Sequence, residues 1–368
     1  MVELEFREKT KILIDSLKSI CANYGLGNDG NEFKIITQIF LYKFLNDKFA
    51  YEAKKIDKAI AKAEKWEEAL AQMSEDELDM LQLQMGADTA RLKRSHFISY
   101  LFSQQNAADF AKLFDDTLMD IAVTNNEVFA VKTDGGAKVV LFDRLSQYIA
   151  DESKRDAFCR AIINKLVEFS FERIFTQKFD FYATIFEYLI KDYNSNSGGK
   201  YAEYFTPHAV ARIMAEILVP QDQRGKIKNV SCYDPSAGSG TLLMNVAHAI
   251  GENRCSIYTQ DISQKSSNLL RLNLILNNLV HSIPNVIQGD TLRHPYHKDG
   301  NDLKQFDYIV SNPPFKLDFS DFRDELDTKI NAVRFFAGIP NVPKAATDKM
   351  AIYQLFLQHI IYSLKAGG

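Results

Sequence analysis

Apolar residues recur at helical spacing through the first part of the chain. Phe33, Ile36, Phe40, Phe44 and Leu45 fall on the 3.6-residue period of a helix with a buried face. Ser74 with Glu77 forms a capping box ahead of Leu78, Leu81 and Met85. Residues 51–70 mix lysine, glutamate and alanine around Trp66, the pattern of a solvated helix. The first ~170 residues are therefore expected to be mainly helical. The exception is 128–141, where Thr133-Asp134-Gly135-Gly136 separates two β-prone runs and predicts a hairpin.

The pattern then changes. Residues 179–193 predict one more amphipathic helix, which ends in the polar stretch Asn194-Ser195-Asn196-Ser197-Gly198-Gly199. From Pro207 onward helices and strands alternate. Helices are expected at 208–218, 240–250 and 263–279, and strands at 229–233, 256–260, 285–288 and 306–311. Such alternation implies a parallel sheet with helices on both faces, an α/β doubly wound (Rossmann-like) domain. The boundary is placed near residue 170. That gives a helical N-terminal domain over 1–170 and an α/β domain over 171–368.

Composition adds limits. The chain has 368 residues, 46% hydrophobic and 25% charged, which suits two ordinary globular domains. Its apolar runs fall far short of a membrane span, and the N-terminus carries early acids with no apolar signal core. Cys21, Cys159, Cys232 and Cys255 lie far apart without a CxxC pair. That argues against zinc and disulfides and fits a reducing cytoplasm. Net charge is −4 and the pI about 6.0. A chain gripping DNA alone would show a basic excess, so a nucleic-acid substrate would call for a partner.

Ligands of doubly wound sheets bind beyond the carboxyl ends of the strands. The turn Asp234-Pro235-Ser236-Ala237-Gly238-Ser239-Gly240 sits there. Gly238 and Gly240 admit a ligand that a Cβ would block, and Asp234 suits a ligand ammonium. Asp261 ends the next strand, 21 residues after Gly240, at the spacing from which an acid reaches ribose hydroxyls. Asp290 ends the third strand, placed to accept from an adenine amino group. A dinucleotide is one reading, but the turn lacks GxGxxG and its phosphate cradle. A ligand without pyrophosphate, such as S-adenosylmethionine, fits better.

After the strand 306–311 comes Asn312-Pro313-Pro314-Phe315. An exocyclic aromatic amine is a poor nucleophile because its lone pair is delocalised into the ring. Two acceptors on its hydrogens favour the pyramidal nitrogen that attacks a methyl sulfonium. The Asn312 side-chain oxygen and the Pro313 carbonyl are suitable acceptors, and the prolines fix their positions. Phe315 would stack on the base, with Tyr204 or Phe205 as other walls. A base paired in a duplex cannot enter such a pocket without flipping. The next segment, 316–349, interleaves Phe319, Phe322, Phe335 and Phe336 with Arg323, Lys329, Arg334, Lys344 and Lys349. Two readings stand: a mobile loop closing on nucleic acid, or a helical insert burying its aromatics. The histidines show no metal-ligand spacing, and His294 and His297 are expected at the surface. No serine or cysteine sits in a nucleophile motif.

With these motifs in this order, the chain resembles the modification (M) subunit of type I restriction-modification systems, adenine-specific DNA methyltransferases. The segment Gly199-Lys200-Tyr201-Ala202-Glu203-Tyr204-Phe205-Thr206-Pro207 is similar to the family's stretch ahead of the first strand. The resemblance implies that Glu203, Tyr204, Phe205, Thr206, Pro207, Asp234, Ser236, Ala237, Gly238, Gly240, Asp261, Ile262 and Asp290 bind S-adenosylmethionine. It implies that Asn312, Pro313, Pro314 and Phe315 hold a flipped adenine for N6 methylation. It also implies DNA, a specificity (S) subunit, a second M subunit and a motor-nuclease (R) subunit as partners, with no metal. The chain ends at Leu364-Lys365-Ala366-Gly367-Gly368, where the family continues, so the sheet's second wing is expected to be incomplete. Two other functions share Asn-Pro-Pro or this architecture: methylation of a protein glutamine or an RNA guanine, and an inactive, truncated assembly component.

Overall fold

Residues 2–27, 30–175 and 206–367 are described by a computed structural model. They divide into two units, one drawn from Met1–Ala130 and Val140–Lys200, the other from Val131–Val139 and Tyr201–Gly368.

In the first unit the main helices are α1 (Val2–Asn23), α2 (Gly30–Ile56), α3 (Phe110–Thr124) and α4 (Glu152–Val167). Helix α2 is buried on nearly every side: Phe33, Ile36, Phe40, Tyr42, Leu45 and Phe49 all lie inside, the mark of a central helix. It also carries a buried ion pair, Lys43 Nζ to Asp47 Oδ1 at 3.0 Å. Asp47 Oδ2 accepts from Phe171 N–H at 2.7 Å. Burial pushes the Asp47 carboxyl up, against the pull of Lys43. Asp47→Ala would leave a buried ammonium and a buried N–H unpaired, an expected loss of about 3–5 kcal/mol. Urea unfolding checks this; a loss below about 1 kcal/mol would contradict it.

The capping box is present: Ser74 N–H donates to Glu77 Oε2 at 2.6 Å and Glu77 N–H to Ser74 Oγ at 3.2 Å. The solvated helix expected over 51–70 is not. Helix α2 stops at Ile56, Asp57 caps a new short helix (Lys58–Lys62), and another follows (Trp66–Ala71). Trp66 packs edge-on against Phe97 with centroids 4.9 Å apart. That contact, 31 positions away in sequence, overrides the local polar composition.

The second unit is built on a sheet of order β2-β1-β5-β4-β3-β8. Its strands are β1 (Val131–Thr133), β2 (Lys138–Val139), β3 (Val230–Asp234), β4 (Cys255–Asp261), β5 (Val286–Gln288) and β8 (Tyr308–Ile309). A separate two-stranded ribbon comprises β6 (Lys298–Asp299) and β7 (Asp302–Leu303). Strands β1, β5, β4, β3 and β8 run parallel, and β2 alone is antiparallel. The helices α5 (His208–Leu218), α6 (Thr241–Ile250) and α7 (Gln264–Leu276) alternate with the strands as expected. Helix α8 (Tyr353–Ser363) follows β8.

Two features depart from the strand pattern in the sequence. The hairpin exists, but β1 extends the edge of the α/β sheet, with Thr133 opposite Gln288. Asp134 N–H donates to Gln288 O at 2.8 Å. A Cβ on Gly289 would lie 2.6 Å from the Asp134 side chain, so glycine there permits the close approach. Strand β8 is shorter and less buried than a core strand: only Tyr308 and Ile309 pair with β3. Phe306 instead bridges Leu364 in parallel.

The segment 316–349 buries its aromatics. Phe319 and Phe335 join Leu292, Leu326, Met350 and Leu355 in one cluster, with Phe322 packed against it. Its helices are single short turns, at Ser320–Phe322, Arg323–Leu326 and Thr347–Lys349. Only Phe336 of the four phenylalanines is well exposed, at 58%.

Candidate active site at the strand rim

Strands β3 and β8 are parallel neighbours, and Val310 N–H donates to Tyr233 O at 3.0 Å. Both chains therefore leave the sheet at one rim. The glycine turn follows β3 and the Asn-Pro-Pro-Phe motif follows β8. Ser236 Oγ lies 2.7 Å from Ser311 Oγ, so the two motifs are in direct hydrogen-bond contact. Asn312 is exposed, and its Nδ2 donates to Thr206 Oγ1 at 3.3 Å. That bond brings Thr206-Pro207, at the start of α5, to the same place. Phe315 is 72% exposed, and among the described residues Tyr353 lies beside it at 6.5 Å between centroids.

The turn is held by the acids. Asp234 is buried beneath it, and its Oδ1 accepts from Ser236 N–H at 2.9 Å. Asp261 at the end of β4 accepts from Gly238 N–H (2.9 Å) and Ser263 N–H (2.8 Å). Asp290 Oδ1 accepts from Leu292 N–H (2.9 Å) and Arg293 N–H (3.2 Å). Thr291 Oγ1 donates to Pro235 O at 2.7 Å, tying the third strand end to the turn. Gly238 (φ 53°) and Gly240 (φ 84°) both take the left-handed conformation. A Cβ on Gly240 would sit 2.1 Å from Leu270 Cδ1. Ala237 is buried within the turn, and Ile262 is 71% exposed beside Asp261.

Burial pushes the Asp234 carboxyl up to about 7; the Asp261 charge adds to this, and bonds from Ser236 and Ser311 resist it. Burial raises Asp261 too, against its two backbone N–H bonds. Because the folded chain holds the Asp234 proton more tightly than the unfolded chain does, this group favours the fold at low pH. Its contribution falls as pH rises from about 4 and is lost above about 7, a change of roughly 4 kcal/mol. Asp234→Asn is expected to flatten that part of the stability–pH curve of the ligand-free protein. Parallel curves for the two proteins between pH 5 and 8 would contradict it.

The remaining predicted residues divide as follows. Glu203, Tyr204 and Phe205 lie outside the described residues, as does the 179–193 helix. Pro313 is half-buried and Pro314 exposed. His294 is exposed as expected, but His297 is only partly so. It packs edge-on against Tyr233 and Tyr258, its Nε2 is 3.0 Å from Thr259 O, and burial pulls it down to about 4. Sequence reasoning passed over Ser311, Thr291 and Asn273, whose Nδ2 donates to Ser239 O at 2.6 Å. Ser311 and Thr291 each adjoin a predicted motif residue, which was the available signal. Among the described residues no group of side chains could hold a metal ion, and no helix is long and apolar enough to cross a membrane. All four cysteines are buried and unpaired.

A profile for N-6 DNA Methylase matches residues 177–368. The type I restriction enzyme MpnII methylase subunit of Mycoplasma pneumoniae is 29% identical over 197 residues, 51% of this chain and 34% of that protein. The HindI methylase subunit of Haemophilus influenzae is 26% identical over 194 residues, 51% of this chain and 39% of that one. The matched stretches thus span between a third and two-fifths of these two relatives. A crystal structure of a type I restriction-modification methyltransferase subunit from Streptococcus thermophilus superposes with a TM-score of 0.67 at 21% identity. That superposition covers 97% of this chain and 72% of that one, and it establishes a shared fold.

Proposed function

Because the chain belongs to the N-6 DNA Methylase family, we propose that it transfers a methyl group from S-adenosylmethionine to the N6 nitrogen of adenine in DNA, as the M subunit of a type I restriction-modification complex. The observation that carries this is the contact between Ser236 and Ser311 at 2.7 Å, which sets the glycine turn beside the Asn-Pro-Pro-Phe motif. The residues present suit the cofactor. The turn bends through two left-handed glycines, of which Gly240 lacks a Cβ on the side of buried Leu270 rather than toward a ligand, and acids stand at three consecutive parallel strand ends.

Pro207, Ser236, Gly238 and Gly240 would line the methionine side. Asp261 would face the ribose and Asp290 the adenine. Asp234, being buried, would act mainly by holding the turn that Ser236 begins. When bound, S-adenosylmethionine supplies an electrophilic methyl group. Asn312 Oδ1 and the Pro313 carbonyl accept hydrogen bonds from the target amine and localise its lone pair. Phe315 covers the face of the flipped base. The product nitrogen passes its proton to water.

The partners would be DNA, an S subunit that selects the sequence, a second M subunit and an R subunit, in the cytoplasm. The acidic balance of −4 is consistent with a partner providing much of the DNA grip. The division into domains 1–170 and 171–368 belongs to the same reading; the compact units instead break between Lys200 and Tyr201, and the second includes the hairpin Val131–Val139. Incubation with radiolabelled cofactor, S subunit and DNA should place label on adenine N6. Label on cytosine or on protein would refute the assignment.

A further inference from the structure

We propose that Arg334 is a positioning residue for the adenine end of the cofactor site, acting through the two peptide groups that hold Asp290. The inference rests on the cofactor reading above and goes beyond it, because Arg334 belongs to the segment that follows the Asn-Pro-Pro-Phe motif.

Arg334 is only 3% exposed. Its guanidinium donates to Leu292 O at 2.6 Å, to Thr291 O at 3.4 Å and to Asn331 Oδ1 at 3.2 Å. No carboxylate among the described residues forms an ion pair with it. Burial pulls it down to about 10, against the attraction of groups that include Asp290. Its ring neighbour is Phe335, 4.2 Å from the guanidinium carbon.

The two carbonyls matter because peptide groups are planar. The Thr291 carbonyl shares its plane with Leu292 N–H, and the Leu292 carbonyl shares its plane with Arg293 N–H. Those two N–H groups are the ones that donate to Asp290 Oδ1. Arg334 therefore grips one side of two rigid plates whose other side grips Asp290. Asp290 Oδ2 has no hydrogen-bond partner among the described residues and stays available to a 6-amino group. Leu292 is pinned in the same cluster as Phe319 and Phe335. On the outside, Arg293 Nη2 pairs with Glu325 Oε2 at 2.7 Å, an exposed contact. The ligand class selected in this way is a 6-aminopurine nucleoside.

The test is calorimetric titration of the full chain with S-adenosylhomocysteine and with S-inosylhomocysteine, in which oxygen replaces the 6-amino nitrogen. Arg334→Met should weaken the adenosyl ligand by about tenfold and the inosyl ligand by less than about twofold. Arg334→Lys, which keeps the charge but cannot span both carbonyls, should fall between. It answers the question even where the methionine variant does not fold. Glu325→Gln should leave both affinities unchanged. Equal losses for the two ligands, or no loss for the adenosyl one, would overturn the proposal. An unsubstituted chain that bound neither ligand would instead remove the cofactor reading beneath it.

Discussion

Asn312→Ala is expected to slow methyl transfer by about a thousandfold, the upper part of the range for removing one preorganised polar group from a reacting centre. The physical reason lies in the substrate. Delocalisation keeps an adenine amine planar, and only an acceptor fixed in place favours the pyramidal nitrogen. Asn312 is exposed, and its one side-chain hydrogen bond among the described residues, to Thr206, is long at 3.3 Å. Its loss should therefore barely alter stability. Cofactor affinity should stay within about twofold, because the glycine turn is held by Asp234 and Asp261 rather than by Asn312. Single-turnover rates with the S subunit and DNA, paired with titration of S-adenosylhomocysteine, separate the two effects. A rate within about tenfold of the unsubstituted protein would mean that Asn312 does not hold the amine.

Gly240→Ala should have the largest effect on the cofactor side. Two costs combine. A φ of 84° disfavours any residue with a Cβ, by about 1–2 kcal/mol. The new methyl would also meet Leu270 Cδ1 at 2.1 Å, and Leu270 is buried. Overpacking of this kind costs about 1–3 kcal/mol. Relief by shifting the turn would move Gly238 and Ser236 away from the ligand, so cofactor affinity should fall by at least about tenfold. Gly225→Ala is the control. It has a similar φ of 81°, but its Cβ would meet only the Arg254 Nη1 atom at 3.3 Å, at the end of a flexible side chain. It should show the backbone cost alone and normal cofactor binding. Equal losses in the two variants would mean that the Leu270 contact carries no weight.

The rim was legible in the sequence because its signals are local. A strand must end, and what ends it here is an acid, at Asp234, Asp261 and Asp290, or an asparagine before proline, at Asn312. Alternating helices and strands then imply a parallel sheet, which brings those ends to one side. The connections between the motifs were not legible. Nothing about Ser311 or Thr291 alone indicates a bond to Ser236 or Pro235, since each bond joins residues more than fifty positions apart.

The errors share that cause. A Thr-Asp-Gly-Gly turn specifies a hairpin but not the sheet that it joins, and this one pairs with β5 far along the chain. His297 follows a histidine, a proline and a tyrosine in a polar loop, yet rings from β3 and β4 pack against it. Trp66 lies in a charged stretch and is drawn in by Phe97. Arg334 lies in a segment whose composition left two readings open, and the carbonyls after Asp290 account for its burial.

The most direct measurement is a crystal structure of the chain with S-adenosylhomocysteine bound. The adenine should lie against Asp290, the amino-acid end against the turn of Ser236 to Gly240, and the sulfur on the side of Asn312. A ligand whose sulfur points away from Asn312, or one seated off the β3–β5 rim, would contradict the account.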